Sequence, residues 1–587
     1  MNTDSHLLNK IFWGILITNS ISVVAAIACV MIDGIITGQF LGPDAVTASG
    51  LMQPVIMVIN LIGGVMGGVN IMCAAYLGKA RRDRVNQVFS ITVIALFFLS
   101  VIMLMIVFFL APWFAQALAG KTGSPEIEKM IVDYLRGFCI GMLFMRFAIL
   151  FSGIMMLDND KNRAMSSMVA TLIADVIFDL ANVLVFHGGM FGMAVATSLS
   201  YVVGFLVIMP HFRRKDRVIH FTVKGLRPGD LVDVALRGIP HVINMGSQAI
   251  RIFCYNTLLL AIADKTAVAG LSICNNAFSV LFALLLGMFM SVSVLSSLLY
   301  HEEDKNGLEK GLGLAVKLTL GIFTVVALLV IIFPQWIACL FVNPSETDTV
   351  LSAAGFIRFW GIQFMFTALC FPVSATYQGT GKLRLNYLLD ISREAVLPIA
   401  CVVGFGSAFG VRGAQIGFAV AGFLTFALCF IIPTVCNKKF PTAIKDFLVF
   451  DEGFGAKADE MYETTIHNMD EVIAASEEVK KLCLSKGAEG RKAYMLALFV
   501  EEMAGNTVLY GYPEGERANI DLRFVFHGDS GVIRLRDDGK PFDPVRWLDQ
   551  NSSEDPTSGL GIRAVTGLAK DVRYTPSMEM NSLVITL

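Results

Sequence analysis

Asp175 and Asp179 stand four residues apart inside an apolar run, with Asn182 three residues further on. At helical spacing the three side chains are expected to share one face. The surrounding stretch, Met165 to Val207, is apolar enough to lie in lipid. A charge at bilayer depth costs several kcal/mol, so acids there either face a wet cavity and handle protons or cations, or form a shallow pair near a helix end where water solvates both; the apolar residues flanking them on both sides favour the cavity. A second group of chemically useful residues lies near the C-terminus. Glu502 and Asn506 are four apart on a predicted helix, and Asp537-Asp538-Gly539 ends a predicted strand in a turn. Ser558-Gly559-Leu560-Gly561-Ile562 puts glycines where a helix would begin, with free N–H groups suited to phosphate.

The elements that carry these residues follow from composition. Of 587 residues, 55% are hydrophobic and only 16% charged, which excludes a chain that is soluble throughout. About twelve apolar runs of spanning length lie between Ile11 and Cys436, and from Lys438 onward the composition is that of a soluble domain. Lys79, Arg81, Arg82 and Arg84, then Lys161 and Arg163, then Arg213, Arg214, Lys215 and Arg217, then Lys305 and Lys310, then Lys382 and Arg384 fall on alternate connections. By the positive-inside rule both termini are cytoplasmic, in a multi-pass protein of the cell membrane, expected to be a bacterial inner membrane. The segment after Phe447 is acidic, and neither part suits nucleic acid. The 11 cysteines lie mostly in apolar runs without metal-ligand or disulfide spacing and read as small core residues.

The apolar half repeats itself. Ala111-Pro-Trp-Phe-Ala-Gln-Ala-Leu118 is echoed by Phe333-Pro-Gln-Trp-Ile-Ala-Cys-Leu340, and Phe191-Gly192 through Gly204-Phe-Leu206 by Phe409-Gly410 through Gly422-Phe-Leu424. Two six-helix repeats in one orientation, with a site in the cleft, is a transporter plan. The expected fold class is an all-α polytopic membrane domain over residues 1–437, a linker over 438–456, and a soluble α+β domain over 457–587. In that last domain, strands are predicted near 461–466, 520–526, 532–536, 571–575 and 583–587, with helices near 469–485 and 490–509.

The first 435 residues resemble the multidrug and toxic compound extrusion (MATE) transporters. The resemblance is carried by Met31-Ile-Asp-Gly-Ile-Ile-Thr-Gly38, Leu41-Gly42, Pro54, the Asp175 to Thr197 stretch, Tyr377-Gln-Gly-Thr-Gly-Lys-Leu-Arg384 and Arg393 to Pro398. It implies an antiporter that exports small organic, cationic molecules from the bilayer-embedded cavity, driven by H⁺ or Na⁺. By the same resemblance Asp33, Asp175, Asp179 and Thr197 are the ion-coupling positions, with Asp33 and Asp179 as the Na⁺ ligands where Na⁺ is used. Asp175 departs from the pattern, which has Asn there; a third acid adds repulsion and favours proton handling. Some relatives carry an acid on the seventh helix. Here that helix has Arg251 as its mid-span charge, and with Asn256, Asn275 and Asn276 it is a candidate for the substrate cavity. Arg251 is open to three readings: contact with an anionic substrate, an ion pair with an acid elsewhere, or support of backbone carbonyls.

The tail resembles Bergerat-type (histidine-kinase/HSP90-like) ATP-binding domains, and among them the anti-sigma-factor serine kinases, which share the Tyr510-Gly-Tyr512 and Asn581 neighbourhood. The resemblance implies Mg-ATP as cofactor. In that reading Asn506 holds Mg²⁺, Asp537 reads the adenine amino group, Gly539 lets the base approach, Gly559 and Gly561 wrap the phosphates, and Glu502 is the general base of any serine/threonine kinase or ATPase step. Thr557 and Ser558 stand where some such kinases have a basic residue, which favours binding over phosphotransfer. No Gly-Lys-Ser or Gly-Lys-Thr P-loop of an ATP-driven pump is present, so the tail is expected to regulate. The alternative is a transporter-like receptor signalling through a serine kinase or binding domain to an anti-anti-sigma-like cytoplasmic protein.

Overall fold

The computed structural model describes residues 6–587 except 67, 79–81, 121–123, 158–159, 215–218, 302, 451–453, 458, 514, 528–529, 551–558 and 578–579. Lys79, Arg81, Lys215 and Arg217 of the orientation argument, and Thr557 and Ser558 of the glycine segment, lie outside the described residues. Contacts divide the chain into two compact units. One comprises Ser20–Met290 and Leu314–Phe447; the other comprises Met1–Asn19, Ser291–Gly313 and Leu448–Leu587.

The helices run in the order α1 (His6–Ile36), α2 (Pro43–Met66), α3 (Gly68–Gly78), α4 (Arg82–Ala119), α5 (Pro125–Leu157), α6 (Lys161–Ala181), α7 (Gly189–Ile208), α8 (Gly229–Ile262), α9 (Lys265–His301) and α10 (Lys305–Ile332). There follow α11 (Pro334–Phe341), α12 (Thr347–Thr367), α13 (Cys370–Gly379), α14 (Leu383–Ile391) and α15 (Leu397–Asn437). Helices are the required answer for runs this apolar, because lipid offers the backbone no hydrogen-bond partner. Among the described residues nine stretches are long and apolar enough to cross a bilayer. Leu383–Asn437 counts as one of them, although Gly410, at φ 66°, breaks α15 into two helices.

Small residues set how closely these helices approach. A Cβ added at Gly141 of α5 would strike the backbone of Ser198 on α7, and one at Gly422 of α15 would meet Gln363 of α12 at 2.7 Å. The outward faces carry exposed large apolar side chains such as Phe98, Phe109, Phe186 and Trp336, as lipid contact demands.

The second unit is built on an antiparallel sheet of order β1-β2-β3-β5-β4, with β1 Met461–Ile466, β2 Ile520–His527, β3 Ser530–Asp537, β4 Asp571–Ser577 and β5 Met580–Thr586. α16 (Met469–Ser485), α17 (Gly490–Tyr510), α18 (Pro544–Gln550) and α19 (Leu560–Leu568) complete it. Asn468 caps α16 by accepting from the Glu471 N–H at 2.9 Å, while Glu471 returns a carboxylate to the His467 N–H at 2.7 Å. One sheet face is apolar. Leu522 opposite Leu535 and Phe524 opposite Ile533 pack with Phe499, Val500 and Val479 into a continuous core. The other face presents Asp521, Arg523, Arg534 and Arg536, as a period of two requires.

Gly141→Ala is expected to destabilise the helical unit by about 1–3 kcal/mol through overpacking against α7. The check is the melting temperature of detergent-purified protein. Gly63→Ala is the control, since nothing lies within 4 Å of the added Cβ, and should not lower it.

Candidate functional site

Three carboxylates meet inside the helical unit. Asp33 comes from α1, and Asp175 and Asp179 from successive turns of α6; one oxygen from each lies within 4.8 Å of the others. Asp179 is fully buried, and neither of its oxygens has a hydrogen-bond partner among the described residues. Asp33 Oδ1 is likewise without one, while Asp175 Oδ1 accepts from the Ser200 hydroxyl at 2.9 Å. No lysine or arginine among the described residues ion-pairs with these acids. Acids held this close in a low dielectric cannot all be ionised alone, so protons or a cation must join them.

Asp33, Asp175 and Thr197 line a cavity of about 490 Å³ together with Tyr134, Tyr201 and Asn276. Its apolar wall includes Met52, Met145, Met168 and Met193, soft side chains that adapt to varied shapes. Ser200 was not singled out by sequence, because a serine in an apolar run carries no periodic signal.

Asn182 follows Asp175 and Asp179 in α-helical register, its N–H donating to the Phe178 carbonyl, and it also opens a π-helical turn, Asn182–Phe186, whose extra residue shifts the side chains that come after it. Its amide oxygen accepts from the Gly188 N–H at 3.1 Å and its nitrogen donates to the Gly189 carbonyl at 3.1 Å, so it fastens the turn into α7.

Arg251 is engaged with an acid. Its Nη1 lies 2.9 Å from Glu394 Oε2; Glu394 Oε1 is 3.2 Å from Arg393 Nε, and Arg393 Nη2 is 3.1 Å from Asp390 Oδ1. The Arg393 guanidinium also covers the Phe371 ring at 3.8 Å. Ser374 donates to Asp390 Oδ1 at 2.7 Å. A second π-helical turn, Ser392–Val396, carries Arg393 and Glu394. Of the four residues expected at a substrate cavity, Asn276 lines the one described above, whereas Arg251, Asn256 and Asn275 are not among its lining residues. Asn256 donates to the Gly50 carbonyl at 2.7 Å, joining α8 to α2, and Asn275 is exposed on α9.

In the second unit, Glu502, Asn506, Asp537, Gly559 and Gly561 line one cavity of about 670 Å³. α17 supplies Glu502 and Asn506, the end of β3 supplies Asp537, and the start of α19 supplies the glycines. The two glycines differ in what would meet a side chain there. Gly559 caps α19 at φ 63° with Trp547 where a Cβ would go, and a Cβ at Gly561 would collide with the Glu502 carboxylate. Sequence reasoning did not mark Trp547, Phe542 or Lys540, which also line the cavity. One amide and one carboxylate on a helix face suit Mg²⁺, an ion that takes few protein ligands and relies on phosphate and water for the rest.

Asp537 is held by its surroundings. Asn581 donates to its Oδ1 at 2.7 Å and the Gly539 N–H donates to the same atom at 2.9 Å, while Tyr574 donates to Asn581 at 2.6 Å. Burial pushes the Asp537 carboxyl above its ordinary value, and these two hydrogen bonds only partly oppose it.

Residues 20–181 and 240–398 match MatE. The chain belongs to the MatE family. Residues 467–587 of this MatE protein match the histidine kinase-like ATPase domain. Over 402 residues it is 23% identical to the probable multidrug resistance protein YoeA of Bacillus subtilis (strain 168), an alignment covering 65% of this chain and 84% of that one. Over 421 residues it is 23% identical to the multidrug export protein MepA of Staphylococcus haemolyticus (strain JCSC1435), covering 70% and 90% respectively. Among solved structures, an inward-facing multidrug resistance MATE family transporter of the MOP superfamily superposes with a TM-score of 0.64 at 22% identity, over 71% of this chain and 96% of that one. A Pyrococcus furiosus MOP superfamily transporter gives a TM-score of 0.58 at 23% identity, over 72% and 96%. These structures share the fold of the helical part, and membership of the MatE family together with the apolar spans among the described residues makes this a multi-pass membrane protein.

The resemblance to ATP-binding domains implies adenine on Asp537, and on that reading nucleotide binding is expected to weaken as the pH falls. An ionised carboxylate accepts from an amino group more strongly than a neutral one, and a carboxyl raised by burial takes up its proton at a pH above the ordinary 3.8. Titration of the full-length protein with a fluorescent ATP analogue across pH measures this. Asp537→Asn should lose the pH dependence and bind about tenfold more weakly or worse, from one lost charge-assisted hydrogen bond.

Proposed function

We propose that this MatE protein is an ion-gradient-driven exporter of small organic molecules, with a cytoplasmic nucleotide-binding tail that regulates it. One observation carries the reading: Asp33, Asp175 and Asp179 converge beside a Met-lined cavity with no basic partner among the described residues. A site of that composition gains stability when a cation or proton enters and becomes unstable when it leaves, which is the property an antiporter needs. Three acids rather than two favour the proton over Na⁺, because a proton shared between carboxylates relieves their repulsion without a full coordination shell. The soft apolar wall with acids at its edge suits an organic cation.

The tail supports the regulatory half of the reading. Of the residues that the ATPase resemblance implies, Glu502, Asn506, Asp537, Gly559 and Gly561 line its cavity while Gly539 is not among the lining residues, and the sequence has no P-loop that would power a pump. Residues 1–437 form the transport domain in this reading, 438–456 the connector and 457–587 the nucleotide domain, with both termini in the cytoplasm. In this reading Glu502 acts as the base of any phosphate transfer by the tail.

Counterflow of a fluorescent organic cation in proteoliposomes, under an imposed proton or Na⁺ gradient, tests the transport half. Asp33→Asn and Asp179→Asn are expected to reduce gradient-driven transport by roughly tenfold or more, the effect of removing a charge that alternates between bound and empty states. Asp175→Asn should keep transport and shift its pH optimum. Wild-type rates in both Asp33→Asn and Asp179→Asn would remove the assignment.

A further inference from the structure

The polar face of the tail sheet opposes two arginines, and of the sheet's own acids Glu463 reaches one of them, its Oε1 lying 3.4 Å from Arg523 Nε. In the β2–β3 register Arg523 stands directly opposite Arg534, two like charges at cross-strand distance. They are 4% and 8% exposed, so water does not screen them. Like charges opposed in this way are destabilising, and buried ones more so, unless an anion sits between them.

The anion is Asp304, from the turn between α9 and α10. Its Oδ1 lies 3.1 Å from Arg523 Nη1 and its Oδ2 lies 3.0 Å from Arg534 Nη1, and it is itself 6% exposed. The same carboxylate caps α10 by accepting the Gly307 N–H at 2.7 Å. Glu303 adopts φ 53°, an uncommon left-handed conformation for its type, and its carbonyl accepts from Arg523 Nη2 at 2.7 Å. Asn306 donates to Glu463 of β1 at 3.2 Å. Tyr300, Phe454 and Phe450 form a three-ring stack with centroids 4.5 and 4.6 Å apart. A second tie runs to the first helix, where Lys10 Nζ lies 2.6 Å from Asp538 Oδ2, whose other oxygen accepts from Tyr512. Asp538 follows Asp537 of the nucleotide cavity.

We propose that the open face of the tail sheet is a docking surface for the transporter's own α9–α10 turn, with Asp304 as the key, and that nucleotide acts on transport through it. The proposal rests on the reading of the tail as a nucleotide-binding regulator. α1 belongs to the first helical repeat and the α9–α10 turn to the second. One sheet therefore holds a point of each repeat, and a transporter that alternates by moving one repeat against the other has to stretch or release those ties. Nucleotide closing on Asp537 bears on the adjoining Asp538 and on the end of β3, the central strand of the same sheet and the one that carries Arg534.

The test uses the full-length protein in proteoliposomes. Cysteines at Asn306 and Glu463 report docking by disulfide formation, read by peptide mass spectrometry, in parallel with ATP-analogue affinity and the effect of ATP on transport. Asp304→Asn keeps the helix cap, because asparagine also accepts there, and removes the charge. The double change Arg523→Gln with Arg534→Gln removes the opposed charges from the other side and leaves the sheet nothing to repel. Both are expected to lower the cross-linked fraction at least fivefold, to leave ATP-analogue affinity within twofold, and to abolish the response of transport to ATP. Lys10→Gln should keep the cross-link and weaken that response. Cross-linking at the wild-type level in both Asp304→Asn and the double variant overturns the docking surface, and a wild-type ATP response after the cross-link is lost overturns the coupling. If no protein binds the analogue, wild type included, the nucleotide reading and the coupling fall, while the cross-link contrast still supports the docking surface.

Discussion

The Asp179 carboxylate is fully buried and has no hydrogen-bond partner among the described residues, an arrangement that holds only if a proton or a cation comes to it. Much of the helical architecture serves that need. α1 must bring Asp33 against α6, and on the same helix the small Gly34 lets Asn276 of α9, which lines the same cavity, come within 2.7 Å of where its Cβ would be. α7 must deliver Ser200 to Asp175, and the π-helical turn after α6 redirects the chain so that α7 packs back along α5 and α6. The same constraint governs the tail from the opposite sign, where two buried arginines are stable because a carboxylate reaches them.

The fold was legible wherever its cause is periodic. Runs of spanning length between polar breaks, the echo of Ala111–Leu118 in Phe333–Leu340, and the alternation of β2 and β3 follow directly from composition and spacing. Asp175 and Asp179 were legible as a pair because two acids in an apolar helix are costly, whatever surrounds them. Asn182 keeps the α-helical register of the two acids, but its amide is engaged by Gly188 and Gly189 at the π-helical turn, a partner set that spacing alone does not reveal.

Glu394 was harder to see. Arg251 carries its charge in mid-helix, but its partner lies 143 positions along the chain, and nothing local distinguishes a paired arginine from one awaiting a substrate. The Arg523–Arg534 opposition was hidden for a related reason. Charges at alternate positions of a strand read as a solvated face, and only the cross-strand register reveals that two of them coincide and are buried. Sequence shows which residues are costly to bury; the compensation is non-local, and it is found in the structure.

The two repeats differ in how their buried charge is balanced, and the difference bears on mechanism. The second repeat closes its own account: Arg251 and Arg393 face Glu394 and Asp390 in a connected row, with Ser374 satisfying the last acid. Such a set is neutral as it stands and has no need of an added ion, although removing any one member would strand its partner. The first repeat gathers three acids with which no lysine or arginine among the described residues ion-pairs, its buried Arg146 being bonded instead to the Ser100 hydroxyl and the Ile59 carbonyl. A gradient can do work only where occupancy changes the free energy of a conformation, and a neutral, internally paired network offers an incoming cation little. The imbalance therefore supports placing ion coupling in the first repeat. It also favours a structural part for Arg251, tying α8 to the π-helical turn through Glu394, over direct contact with an anionic substrate.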